Sequence, residues 1–150
     1  MTMKVFVDTN VFIDFIGNRA EFAQDAKRLC IAAFYGDIEL WISTQTITDA
    51  DYFFRKPAIR EAARKKMASS LKIFHVCGTH ALDAQQALTS GWPNVEDYLI
   101  AQSASRIGAQ ALVTRDALGF KDCAVKVYSP AELLDELRKR GLEYEEITLS

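Results

Sequence analysis

Histidine is nearly missing from this chain, with 2 in 150 residues, and cysteine numbers only 3. His75 and His80 are too few and wrongly placed for a histidine metal site. Each reads as a packed or surface side chain. Cys30, Cys77 and Cys123 are odd in number and contain no C-x-x-C pair. They read as buried thiols, which excludes a disulfide framework and a zinc site. No apolar run approaches the roughly 20 residues of a membrane span. Asp8 and Asp14 interrupt the first apolar segment, so no signal-peptide pattern forms and a cytoplasmic location is the default expectation. The net charge is only −2, so no overall field of one sign recommends a polyanionic partner. No Gly-rich loop follows any strand, which argues against a nucleotide-binding phosphate loop.

What is present suits one domain over 1–150, with 49% hydrophobic and 25% charged residues. Charge is unevenly spread. From Arg55 to Lys72 the chain carries Arg55, Lys56, Arg60, Arg64, Lys65, Lys66 and Lys72 against a single Glu61. Such a segment either tracks phosphates or forms a solvated helix face. The tail, about 143–150, reverses the sign with Glu143, Glu145 and Glu146.

Strand-like runs alternate with helical ones. The strands are expected at Lys4–Asp8, Glu39–Ser43, Lys72–Cys77, Ala111–Thr114 and Val125–Tyr128. Helical spacing is expected over Ala20–Tyr35, Thr46–Arg55, Pro57–Ser70, His80–Thr89 and Asn94–Ile107. A last helix opens at Ser129-Pro130. Lys56-Pro57 separates two helices, because the residue before proline is pushed out of the helical region. The alternation predicts an α/β fold in three layers, a parallel sheet of about five strands with helices on both faces.

In such sheets ligands bind beyond the carboxyl ends of the strands. Asp8 ends the first strand, within "KVFVDTNVFIDF". Asp116 follows the fourth, within "LVTRD". Asp97, with Glu96 beside it, opens the helix after Asn94, and Asp49 and Asp51 fall early in the helix after "WISTQT". Each alone has an ordinary explanation as a helix cap, a turn residue or an ion-pair partner; Asp51 to Arg55 is an i,i+4 pair. Four segments delivering acids to one end of one sheet are harder to explain that way. Converging carboxylates repel and their pKa values rise unless a cation intervenes. Oxygen ligands without histidine or cysteine suit Mg2+ or Mn2+. The chemistry that follows most naturally is phosphodiester hydrolysis.

The segments "VFVDTNVFIDF" and "NVEDYLIAQSASRIGAQALVTRD", with the spacing between them, resemble PIN-domain ribonucleases, in particular the VapC-like toxin group. The resemblance runs from about residue 4 to 130. It implies a parallel sheet flanked by helices and an acidic pocket for one or two Mg2+ or Mn2+ ions. Asp8 matches the family's first acid, Asp97 the third and Asp116 the fourth. Thr114 falls where the family has a hydroxyl after the fourth strand, and Asn10 matches the residue that supports the first acid. At the second position many members carry glutamate, whereas here the matching residue is Asp49, with Asp51 two residues on. Helical periodicity does not choose between those two; the resemblance favours Asp49. Asn94 stands where relatives often have aspartate.

The resemblance further implies a metal-dependent endoribonuclease acting on RNA, a small antitoxin whose basic side chain enters the acidic pocket, and a homodimer. Arg55, Lys56, Arg115 and Lys121 are the candidates for positioning RNA. The shortened second acid motivates an alternative, a PIN-like scaffold that binds RNA or protein without cutting. A phosphotransferase with an aspartyl nucleophile would want a second aspartate two residues after Asp8, where Asn10 stands.

Overall fold

The computed structural model describes residues 2–144. The acidic tail lies outside the described residues from position 145 on. Five strands form one wholly parallel sheet: β1 (Met3–Val7), β2 (Ile38–Ser43), β3 (Phe74–Cys77), β4 (Ala111–Val113) and β5 (Val127–Tyr128), in the order β3-β2-β1-β4-β5. Seven α-helices are described: α1 (Thr9–Gly17), α2 (Ala23–Phe34), α3 (Thr44–Phe53), α4 (Pro57–Ser70), α5 (Ala81–Thr89), α6 (Val95–Arg106) and α7 (Pro130–Lys139). Among the described residues, no helix is long and apolar enough to cross a membrane.

Both faces of the sheet are covered, which explains why β1 is a continuous apolar run. Val5 and Val7 join Leu40, Ile42, Phe12, Leu29 and Leu133 in one buried cluster. Phe6, between them in sequence, points the other way and joins Leu112, Ile100, Ala104 and Phe120 in a second. This is the period-two alternation of a strand with two cores.

Local signals set most boundaries. Ser43, Asn94 and Ser129 accept hydrogen bonds from the backbone N–H groups of Thr46, Asp97 and Glu132 and so open α3, α6 and α7. Pro57 and Pro130 stand in first turns. Gly108 follows α6 with φ +72°, a conformation that glycine adopts without Cβ strain. Several bounds are tighter than the sequence expectation, with β3 beginning at Phe74, β5 at Val127 and α2 at Ala23, and two features were not expected. The helix after Asp8 runs on to Gly17 and ends at Asn18 in the left-handed region. Ala117–Phe120 forms a short 3-10 turn, opened by Asp116, that periodicity does not reveal.

Candidate active site

Chain direction around β1 decides where a crevice opens. From β1 the chain adds β2 and then β3 on one side, then crosses to place β4 on the other. The carboxyl ends of β1 and β4 therefore flank the switch point of the sheet, the position where open α/β sheets leave a cleft. Asp8 follows β1 there, and Thr114 and Asp116 follow β4.

Asp8 is buried, 5% exposed. It caps α1 by accepting from the Thr9 N–H at 2.8 Å, and its other oxygen accepts from Thr114 Oγ1 at 2.7 Å. Its own N–H donates to the Val113 carbonyl, extending the β1–β4 pairing by one bond. Thr114 Oγ1 also accepts from the Asp116 N–H at 2.9 Å, so its proton is left for Asp8. One buried hydroxyl thus sets the spacing between the acids of two adjacent strands. Replacing Thr114 with valine keeps the shape and removes the bond. The buried Asp8 oxygen then loses its donor, and a loss of about 1–3 kcal/mol in urea unfolding at pH 7.5 is expected. Serine at the same position is expected to retain most of the stability.

The remaining acids come from α3, α6 and the 3-10 turn. Asp97 and Glu96 occupy the first turn of α6, both partly buried. A Cβ on Gly119 would lie 2.6 Å from Asp97 Oδ2 and 3.1 Å from Asp116 Oδ2, so these two carboxylates face one another across the glycine. Asp49, in the second turn of α3, has a buried Oδ2 and lies within side-chain hydrogen-bond reach of Glu96, so the two carboxyls crowd one another. Ser43, Thr46 and Thr9 form a chain of buried hydroxyls between α1 and α3, with links of 3.3 and 3.2 Å. That chain ties the helix bearing Asp49 to the helix that Asp8 caps.

Electrostatics follow from this crowding. Burial pushes the Asp8 carboxyl up to about 6, against the two hydrogen bonds that hold it down; the charges of Asp97 and Asp116 add to the rise. Burial and then the charges of Asp49 and Asp8 push Glu96 up to about 7. Burial, and then Asp116, raise Asp97. The cleft is short of positive charge.

Other expected residues fall elsewhere. Asp51 accepts from Arg64 Nε at 2.7 Å and Nη2 at 3.0 Å, with Arg60 at 3.9 Å, so it faces α4 and not the cleft. Its expected i,i+4 partner Arg55 lies past the end of α3 and instead donates to the Tyr52 carbonyl. Arg115 is the clearest departure among the RNA-positioning candidates. Its Nε donates to Asp14 Oδ2 at 2.6 Å, and its guanidinium lies 3.9 Å from the Phe22 ring centroid, so an internal ion pair occupies it. Asn10 accepts from the Arg115 N–H at 3.5 Å, which ties α1 to the loop after β4, and does not serve as the expected direct support for Asp8. Arg55, Lys56 and Lys121 are exposed. Sequence reasoning missed Gly119, Thr46 and Asp14. Thr46 was expected only as the first residue of a helix.

Among the described residues, no three histidine, cysteine, aspartate or glutamate side chains are gathered closely enough to hold an ion between them. A hard cation needs only one or two carboxylates plus water. Raised acids, the crowded Asp49–Glu96 carboxyls and an all-oxygen donor set fit a divalent cation of the Mg2+ or Mn2+ class.

Comparison with known proteins agrees with the fold. A family model described as PIN domain matches residues 4–118. No match emerges among the curated proteins. Among solved structures, the chain is similar to VapBC2 from Rickettsia felis bound to a promoter DNA fragment, at 18% identity and TM-score 0.63, covering 85% of this chain and 98% of that one. DNA-bound VapBC from Salmonella typhimurium matches at 19% identity and TM-score 0.64, covering 86% and 99%. FitAcB from Neisseria gonorrhoeae matches at 19% and 0.62, covering 85% and 98%. At these identities the likeness is one of fold.

Proposed function

The chain belongs to the PIN domain family, and from that premise we propose that it is a Mg2+- or Mn2+-dependent endoribonuclease, the toxin of a toxin–antitoxin pair. The observation that carries the reading is the gathering of Asp8, Asp49, Glu96, Asp97 and Asp116 around the β1/β4 switch point, with Thr114 bridging Asp8 and Asp116.

Asp8, Asp97 and Asp116 are assigned as the acids that would draw together on a metal, since no three among the described residues converge as they stand, with Asp49 as the second acid in family order. Glu96 supports the set from the first turn of α6. A divalent cation, when bound, supplies the positive charge that brings an RNA phosphate into an acidic cleft and makes water a competent nucleophile near neutral pH. The protein's share is to hold these oxygens in place. Thr114 keeps Asp8 oriented, and Asp8 is buried, while Asp49, Glu96 and Asp97 are partly exposed and Asp116 is open to solvent. Arg55, Lys56 and Lys121 are assigned to RNA phosphates outside the acids. Arg115 is not, given its bond to Asp14.

One structure of similar fold is a toxin–antitoxin complex from Klebsiella pneumoniae, which supports a small antitoxin partner for this chain. A basic antitoxin side chain among the acids would meet the same electrostatic need as a cation. A homodimer is proposed on the same family grounds.

The test is cleavage of a mixed panel of structured and single-stranded RNA by purified protein in Mg2+, Mn2+ or chelator. Cutting is expected to require the cation and to vanish in Asp97→Ala. Absence of cutting by monodisperse, partner-free protein would replace this reading with a binding scaffold.

A further inference from the structure

Two large aromatics stand in solvent at the end of α3. Tyr52 is 68% exposed and Phe53 is 47% exposed. They are the third and fourth residues after Asp49, so they share its helix face, one turn farther from the sheet. The face that carries an acid into the cleft therefore continues outward as a pair of rings.

Each ring is braced by a guanidinium. Arg55 Cζ lies 4.3 Å from the Tyr52 centroid, and its Nη1 donates to the Tyr52 carbonyl at 3.0 Å. Arg19 Cζ lies 5.6 Å from the Phe53 centroid, and buried Phe54 meets Phe53 edge-on at 5.0 Å. The basic segment that follows is mostly engaged elsewhere. Arg60 and Arg64 face Asp51, Lys65 pairs with Glu61, and Lys66 donates to the Phe15 carbonyl. Arg55 and Lys56, both exposed, are its members beside the rings.

We propose that Tyr52 and Phe53 form a stacking platform for unpaired bases of the RNA strand whose phosphate lies at the acids, with Arg55 and Lys56 on the adjoining phosphates. This rests on the ribonuclease reading. Aromatic rings flanked by cations are the elements that bind single strands, since every base offers a face to stack and every link a charge. Burying two ring-bound guanidiniums under a protein partner would cost their hydration, whereas a polyanion compensates them.

The test compares wild type with Tyr52→Ala, Phe53→Ala and the ring-preserving Tyr52→Phe. The substrate is the RNA that the panel identifies, intact or with one abasic nucleotide at each position flanking the cut. Readouts are kcat/KM in Mg2+ and equilibrium binding of fluorescein-labelled single-stranded RNA in chelator. Each alanine variant is expected to bind about tenfold more weakly and to lose mainly in KM, while Tyr52→Phe keeps wild-type values. One abasic position is expected to weaken wild type by a similar factor and to leave the matching alanine variant nearly unaffected. Additive losses, or alanine variants with unchanged RNA binding, overturn the platform. The same holds if Tyr52→Ala spares RNA binding and abolishes self-association in sedimentation, since the patch is then a protein interface. If wild type cuts no RNA, the ribonuclease reading falls and the binding arm alone decides the platform.

Discussion

Asp8→Asn is expected to reduce RNA cleavage by at least about 100-fold and, in chelator at neutral pH, to make the protein more stable. The two effects share one cause. Asp8 is buried among other acids, and its carboxyl is pushed up from 3.8 to about 6. A carboxylate raised in the folded state binds its proton more tightly there than when unfolded. The penalty is absent below the unfolded value, grows as pH rises from about 4 to about 6, and is complete above. The shift corresponds to a contribution on the order of 2–3 kcal/mol. Thermal melts in chelator should show wild type losing stability across that window. The asparagine variant should lose less, with Glu96 still titrating. Added Mg2+ should raise the melting temperature of wild type at pH 7.5, less at pH 5, and hardly at all in the variant. Equal metal response in both proteins would remove Asp8 from the site.

A large expected loss of stability lies outside the acids, at Arg115. Asp14 is 1% exposed and takes two hydrogen bonds from Arg115, at 2.6 and 3.3 Å, with Arg19 at 3.5 Å as a second and longer partner. Arg115→Met leaves a buried carboxylate with only that longer contact and removes the stack on Phe22. Asp14 is buried but Arg115 reaches solvent, so the cost is expected to be about 1–3 kcal/mol, below that of a fully buried pair. Urea unfolding at pH 7.5 should show a lower midpoint at an unchanged slope. Adding Asp14→Asn should recover part of the loss, because the stranded charge is gone. A midpoint within a few tenths of wild type would mean that Arg115 is not structural and would return it to the surface residues available for RNA.

These two expectations concern residues that read alike in the sequence, polar groups near the ends of strands, and they show how far the sequence reaches. The strand–helix alternation, the sheet covered on both faces, and the cap residues Asn94 and Ser129 were legible because they are local. Their signals lie within a few residues of the structure they produce. Ser43, expected only as a strand end, proved to cap α3. The arrival of Asp8, Asp97 and Asp116 at one end of the sheet was legible too, since a parallel sheet aligns all its carboxyl ends.

Tertiary structure decided the rest. Asp49 and Asp51 sit on opposite flanks of one helix, and periodicity cannot rank two flanks. The choice came from α4, whose Arg64 takes Asp51 and leaves Asp49 beside Glu96. Arg115 looked like a surface cation next to Asp116 until α1 presented Asp14, 101 residues away in sequence. Gly119 had no mark of importance until α6 brought Asp97 within reach of a Cβ there. In each case the deciding contact joins distant segments. The sequence determines by itself which residues form elements and toward which end of the sheet the acids fall, because short-range sterics and hydrogen bonding act along the chain. Which of those acids are left to share a cleft depends on which cations the packing of other helices has already taken.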